Sequence, residues 1–502
     1  MALLVGLLDK LRAQSQNQLA VVVVIIFALV LRFILRLRPS LPSNAPELYK
    51  GHNAVFGLHP FSSSRADYLE RGVKQSSNGH FSFWYGGNHI VVLSGEAART
   101  SFLTARGLDP SAGFMALFGA FLNVDELTSA NTRKSSLVYK RCAQEDHLST
   151  NLHHLVTDSD NALRKIGVAG VIDPLKFIGS LIYQLTHRMA GAHDIASDPQ
   201  LLQKTLNVYG PLEDSPYIDV LFPWLPTPSK LGKMVGYARL HFTIQGIVKK
   251  RRAGAKRDTD MLQKTIDEGF SDGMISLIVI GAILAGVFNT TLATTWNLCC
   301  LAKSPAWLAK VKKEVNDTID RHRLSDSEPL LDVFQRFSLK EWETQFPILQ
   351  LTIKESIRFT MAGAVVRKNI SGKDMSIGGT HQVVPNNSLA IHATADAHMS
   401  EGIYTEPLKW DPDRFSGARA EGVNVPHSYL GWGSGNHPCR NISNFAELNV
   451  VVANVLFIAS YDFHMCDKTG RKIDDPLPDL IYNRMGAGRP RAEMYMKCQA
   501  RS

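Results

Sequence analysis

The chain has 502 residues, 45% hydrophobic and 20% charged, with a formal net charge of +9. This is the composition of an ordinary globular protein; it excludes a low-complexity or fibrous chain, and the length allows a large core. Six cysteines without any C-x-x-C spacing exclude a disulfide framework and a zinc site, and they fit a reducing compartment. The basic balance suits an anionic membrane surface or an acidic protein partner; with no aromatic-interleaved basic patch, nucleic acid is set aside.

Leu19 to Leu31 is an uninterrupted apolar run. Extended to Leu37 it takes in Arg32 and Arg36 and approaches the ~20 residues that span a bilayer. Long basic side chains near a helix end reach the interface. No small-residue cleavage site follows, so the run reads as a retained anchor. Arg32, Arg36 and Arg38 outweigh Lys10, Arg12 and Asp9 on the other side, which places the body of the protein in the cytosol. Leu3 to Leu11 reads as a short interfacial helix, and Pro39, Pro42 and Pro46 as a stiff extended hinge. The expected organisation is an anchor at 1–38 with its transmembrane helix at about 19–37, a hinge at 39–50 and one body at 51–502.

His80 to Ser94 predicts two short strands around Gly86-Gly87, and Glu96 to Leu103 a helix. Gly113 to Leu122, with Phe114 and Phe118, reads equally as core packing or as the lining of an apolar pocket. From about 130 to 270 the pattern is mostly helical, broken at Phe222 to Pro228 and followed by a helix ending in Lys249-Lys250-Arg251-Arg252. Asp272 to Leu301 is apolar all round with a polar knot at Asn289 to Thr295, which predicts a central buried helix. The knot faces a site, unless its threonines bond back to their own helix.

Helical sequence continues from Pro305 to about Thr360, where Glu355 and Arg358 share a helix face and can pair. Strand-like pieces follow, including His381 to His392, and then Trp410 to Phe415. Last comes Trp432-Gly433-Ser434-Gly435-Asn436-His437-Pro438-Cys439-Arg440-Asn441. Its cysteine precedes an apolar, helical run, whose positive end stabilises a thiolate. The glycines let the backbone approach a flat ligand. Such a cysteine is either the axial thiolate of a haem iron or an inert thiol in a turn.

The order and spacing of these motifs resemble the cytochrome P-450 family, the haem-thiolate monooxygenases, over about 450 residues after the hinge. The family's aromatic-x-x-Gly-x-basic-x-Cys-x-Gly pattern is met by Trp432, Gly435, His437 and Cys439, with Asn441 where glycine is usual. Its Glu-x-x-Arg is met by Glu355 and Arg358, and its Pro-Glu-Arg-Phe by Pro412 to Phe415.

The resemblance implies a mainly α fold with small β-sheets (α+β), behind an N-terminal transmembrane anchor. It implies haem b with Cys439 as metal ligand, and His437, Arg367, Trp432, Gly435 and Arg440 around the cofactor; Lys140 and Arg141 are further propionate candidates. Glu355, Arg358 and Arg414 would form a structural charge network. Asn289 and Thr290 are the catalytic candidates. Ala285-Gly286-Val287-Phe288-Asn289-Thr290 departs from the family's acid–alcohol pair and aligns in two registers. One puts Phe288 at the acid and Asn289 at the alcohol and needs no downstream gap; the other puts Asn289 and Thr290 there. Phe114, Phe118, Ala285, Phe288 and Val365 are the pocket candidates.

The implied activity is insertion of oxygen from O2 into a lipophilic small molecule, with electrons from NADPH through NADPH–cytochrome P-450 reductase. The implied location is the endoplasmic reticulum membrane, single-pass, with the body facing the cytosol. A terpenoid, meroterpenoid or sterol-like secondary metabolite is the expected substrate class. The alternatives are an isomerase or dehydratase of the same fold, acting without external electrons, and a non-catalytic haem-binding protein.

Overall fold

The computed structural model describes residues 18, 20–28, 30, 40–49, 59–118, 129–213, 217–221, 225–254, 257–436, 440–482 and 488–501. Helices dominate and the sheets are small, as the sequence pattern expects. The spine is the helix Asp272–Lys303, capped where Ser271 Oγ accepts from the Met274 N–H. Its only charges are at its ends, so it can be covered on every side. It packs against the helices Pro174–Ala190, Pro347–Thr360 and Arg440–Ser460. Gly286 makes this close: a Cβ there would lie 3.0 Å from Thr186 Cγ2 and 3.2 Å from Phe445 Cζ. Among the described residues this is the one helix long and apolar enough to cross a membrane, and most of it is buried inside the protein.

A line of buried polar side chains stitches the spine to its neighbours. Trp410 Nε1 donates to Ser356 Oγ (3.0 Å), Ser356 Oγ to Asn297 Oδ1 (3.1 Å), and Asn297 Nδ2 to Asn454 Oδ1 (2.9 Å). Asn454 Nδ2 ends the line on the Val450 carbonyl at 2.8 Å. Each amide left unpaired would cost about 1–3 kcal/mol, so the groups hold the helices in one mutual arrangement.

The largest sheet has five strands. Phe81–Tyr85 and Asn88–Leu93 form the expected hairpin; Leu389–Ala393 lies parallel to the second, Ala364–Asn369 antiparallel to that, and Leu108–Asp109 at the far edge. Phe81 to Tyr85 are buried on both faces rather than alternating, because Phe61 and Tyr68 cover one face. Glu96–Thr104 is a helix as expected. A three-stranded sheet joins Ala169–Ile172 to Tyr495–Ala500 and Tyr461–Cys466.

Residues 40–49 lie on the body. Ser82 N–H donates to the Glu47 carbonyl (2.8 Å), Tyr49 N–H to the Ser82 carbonyl (2.9 Å), and Val383 N–H to the Asn44 carbonyl (3.0 Å). The proline segment thus adds to a sheet edge. Residues 20–28 are helical, and Val21 to Phe27 are exposed. Apart from residues 18 and 30, the remainder of the expected anchor, including the Leu3–Leu11 stretch, lies outside the described residues, as do Phe222 to Trp224.

The basic helix is Pro228–Arg252, and its end is only partly a solvent-facing charge run. Arg251 is buried and bonds Asp260 at 2.6 and 2.7 Å as well as Asp194; Arg252 pairs with Asp272 at 2.7 Å.

Candidate active site

The helix Pro347–Thr360 buries the face that carries Glu355 and Arg358. Arg358 grips the carboxylate with two bonds, Nε to Oε2 at 2.8 Å and Nη2 to Oε1 at 2.9 Å. Arg414 Nε reaches the same Oε1 at 3.1 Å, as does the Asp411 N–H at 2.9 Å. Glu355, Arg358 and Arg414 are fully buried. Glu421 supplies the second carboxylate, 2.7 Å from Arg414 Nη1, so two anions face two cations. The remaining guanidinium protons go to the carbonyls of His398, Thr405, Pro407 and Lys409. The structure therefore brings this predicted trio together and pins the 405–414 segment to the helix.

His398, which sequence reasoning missed, extends the anchoring to the cysteine loop. Its Nδ1–H donates to the Met361 carbonyl, and its Nε2 accepts the Leu430 N–H, both at 2.8 Å. Burial holds this imidazole neutral and pushes its pKa down to about 3. The unfolded ring titrates near ~6.5, so below that pH the unfolded chain takes up a proton that the folded chain refuses. Stability from this residue is level above about pH 6.5 and falls below it, by up to about 1.4 kcal/mol per pH unit. His398→Gln is expected to flatten the dependence of unfolding free energy on pH between about 6.5 and 4 by nearly one proton. Denaturant titrations at stepped pH measure this, and an unchanged slope would mean that the ring is charged in the fold.

Beyond Leu430 the loop runs through Trp432, half-buried against the main core, to Gly435. Gly435 has φ +74°, and a Cβ there would lie 2.3 Å from the Leu103 carbonyl oxygen. Without one, the next residue closes in, and Asn436 N–H donates to that carbonyl at 3.0 Å. Arg367 Nη1 donates to the same oxygen at 3.2 Å and to the Phe102 carbonyl at 2.6 Å. The predicted arginine and the predicted glycine loop thus meet at Leu103. His437, Pro438 and Cys439 lie outside the described residues, and of Arg440 only the backbone is described, as the first residue of the helix Arg440–Ser460.

Arg367 is buried, and its Nε has no hydrogen-bond partner among the described residues. Burial pushes its pKa down to about 10, with Asp109 acting the other way. Val365 and Arg367 share one face of the strand Ala364–Asn369. Of the further propionate candidates, Lys140 is exposed, and Arg141 is occupied by an exposed ion pair with Glu268.

The central helix opens where the polar knot begins. Ala285 and Asn289, one turn apart, are exposed, and Leu284 and Phe288 beside them are half-buried. From Thr290 to Leu301 every residue is buried. Asn289 therefore stands on the open face and Thr290 does not. Thr294 Oγ1 bonds back to the Thr290 carbonyl (2.9 Å), as a purely structural knot would. Among the described residues, the buried Oγ1 atoms of Thr291 and Thr295 have no such partner. Phe114 is exposed on the helix Pro110–Phe118, and the side chain of Phe118 is outside the described set. Arg489, also missed, lies with its guanidinium carbon 4.8 Å from the centre of the Phe288 ring.

These residues fit a haem. Arg367 is a desolvated cation whose Nε lacks a partner among the described residues, as a propionate site requires. A helix N-terminus follows Cys439 directly, where a thiolate is stabilised. The otherwise buried central helix has an opening lined by small and apolar side chains.

A family model described as Cytochrome P450 matches residues 127–486, well over half of the chain. A cytochrome P450 monooxygenase of Pseudocercospora fijiensis is 28% identical, over 95% of this chain and 99% of its own length. The cytochrome P450 monooxygenase AacuE of Aspergillus aculeatus is 28% identical, over 86% and 89%. An obtusifoliol 14-alpha demethylase of Sorghum bicolor is 23% identical, over 70% and 68%. Among solved structures, the retinoic acid-bound cyanobacterial CYP120A1 matches with a TM-score of 0.70 at 18% identity, over 92% of this chain and 100% of its own.

Proposed function

Since this chain belongs to the cytochrome P450 family and is a monooxygenase, we propose that it inserts one oxygen atom of O2 into a lipophilic, bulky secondary metabolite of terpenoid, meroterpenoid or sterol-like scaffold. The observation that carries this reading is the opening at Ala285 and Asn289 in an otherwise buried helix, bordered by Leu284 and Phe288. Haem, which the Cys439 thiolate would hold, would supply the cleavage of dioxygen.

The protein's own residues position, enclose and donate. Arg367 Nε would pair with a haem propionate, and His437 and Arg440 would assist from the cysteine loop. Gly435 lets that loop lie flat. Glu355, Arg358 and Arg414 hold the supporting segment in register. Ala285, Phe288, Val365, Phe114 and Phe118 form apolar walls, which select substrate by shape. Asn289 is the polar side chain exposed at the opening. Phe288 leaves no carboxylate at that position, so protons reach the site through water rather than through an acid–alcohol pair.

Electrons come from NADPH through NADPH–cytochrome P450 reductase, an acidic partner suited to a chain of net charge +9. The exposed apolar helix at 20–28 supports single-pass anchoring at 1–38 in the endoplasmic reticulum membrane, with residues 51–502 in the cytosol.

Co-expression with the reductase, feeding of a scaffold panel and mass spectrometry under isotope-labelled dioxygen test this. Products are expected to carry one labelled oxygen and to require both NADPH and reductase. Turnover that needs neither would replace the monooxygenase reading with an isomerase or dehydratase.

A further inference from the structure

The central helix Asp272–Lys303 packs along the helix Arg440–Ser460. Two contacts fix their register. A Cβ at Gly286 would lie 3.2 Å from Phe445 Cζ, and further along both helices Asn297 Nδ2 bonds Asn454 Oδ1 at 2.9 Å. The helices therefore run in the same direction. Asn449, one turn past Phe445, stands at the level of Thr290, one turn past Gly286. The helix Pro174–Ala190 closes the junction from a third side. Thr186 Cγ2 is 3.0 Å from the same Cβ position at Gly286, and Thr291 Cγ2 is 3.6 Å from that at Gly179.

Asn449 is fully buried, and neither its Oδ1 nor its Nδ2 has a partner among the described residues. The neighbouring amides of Asn297 and Asn454 are bonded. Thr291 adds to the junction a buried hydroxyl that also lacks a partner among the described residues. Leu448, Val452 and Ala453, beside Asn449, are buried and apolar and offer it nothing. The N–H groups of its own helix are spent on helix bonds, so its Oδ1 finds no donor there. A buried polar group left dry costs about 1–3 kcal/mol, and folded proteins meet such groups with protein atoms or with internal water. A water can donate to Oδ1 and accept from Nδ2.

We propose that Asn449 binds an internal water against Thr290, on the back of the central helix, and that this water supplies protons to the opening at Ala285 and Asn289. The supply role rests on the monooxygenase reading above and says where its water is held. Thr290 Oγ1 passes its proton toward the opening and takes one from the water. A proton from bulk solvent restores the water, so one proton is delivered and no side chain is left charged. The Asn449 amide gives up no proton itself; it is a positioning residue.

Crystals of the full-length holoprotein test the site. An ordered water is expected within hydrogen-bond reach of Asn449 Oδ1 and Nδ2, kept in Asn449→Ser and lost in the isosteric Asn449→Leu. A dry Asn449 in wild type overturns the proposal, as does a water that persists in Asn449→Leu. The role is tested by product formed per NADPH consumed, with the scaffold that turns over in the panel above. Asn449→Leu should lower this ratio about threefold or more, the shortfall appearing as hydrogen peroxide, while Asn449→Ser keeps most of it. The thiolate-type carbon monoxide band shows which variants hold haem. An unchanged ratio in Asn449→Leu overturns the supply role. If that variant loses haem, Thr290→Val, which keeps the shape and removes the hydroxyl, must lower the ratio instead, and an unchanged ratio there has the same force. A dry Asn449 beside NADPH-dependent turnover sinks this proposal alone. Turnover that needs neither NADPH nor reductase takes down the monooxygenase reading and the supply role with it.

Discussion

Glu355→Ala is expected to yield no stable holoprotein. The carboxylate is fully buried and bonded to two fully buried guanidinium groups at 2.8 to 3.1 Å. Its removal strands Arg358 entirely, because the carbonyls that remain as partners carry no charge. Breaking a buried pair from one side costs about 3–5 kcal/mol. A domain's whole margin is about 5–15 kcal/mol, so the loss is severe even with all else intact. Arg414→Ala should be milder, since Glu355 then keeps its two bonds to Arg358. Arg358→Lys should resemble Glu355→Ala, because a single ammonium cannot reproduce the fork. Haem absorbance per mole of protein and denaturant midpoints measure the series. A Glu355→Ala chain with full haem content and a normal midpoint would show that the network does not hold the fold.

Arg367→Met is expected to separate the stability of the chain from its hold on haem. Arg367 is a buried cation with a partnerless Nε, and its charged form is disfavoured by desolvation. A methionine of similar length removes that unfavourable burial, at the cost of the bonds to the Phe102 and Leu103 carbonyls. Leu103 keeps its bond from Asn436. The haem-free variant should therefore unfold at or near the wild-type midpoint. Haem release should accelerate roughly ten- to a hundredfold, since a hydrogen bond to a charged group is worth about 1.5–3 kcal/mol. Transfer of haem to a scavenging apoprotein measures the rate. An apoprotein destabilised as much as the holoprotein would make Arg367 a structural pin and not a cofactor ligand.

What could be read from the sequence was what is local. The central helix announces itself by its apolar length, and Glu355 with Arg358 by their i, i+3 spacing. The third member of the network, Arg414, lies 59 residues from Glu355 and came only from the family resemblance. The three-stranded sheet pairs Ala169–Ile172 with a strand at the far end of the chain, and no periodicity marks such a partner. His398 and Arg489 are ordinary residues until the fold sets one under Leu430 and the other over Phe288. The Lys249 to Arg252 run reads in sequence only as the basic end of a helix, because its acidic partners, Asp194, Asp260 and Asp272, are distant or unremarkable there. Of the two registers at Asn289 and Thr290, the letters favour the one that needs no downstream gap. They do not show that Asn289 is exposed and Thr290 buried, which depends on what packs around the helix.

The polar line from Trp410 to Val450 has a direction. An indole nitrogen can only donate, so Ser356 must receive from Trp410 and pass its own proton on to Asn297 Oδ1. That choice orients the Asn297 amide, which orients Asn454, whose remaining donor meets a carbonyl that can only accept. Reversing any one link leaves two donors or two acceptors facing each other elsewhere along the line. Positions 297, 356, 410 and 454 are therefore heritable as a set: a lineage that alters one must pass through a weakened intermediate or alter its neighbour too, and substitutions at these four sites should be found travelling together.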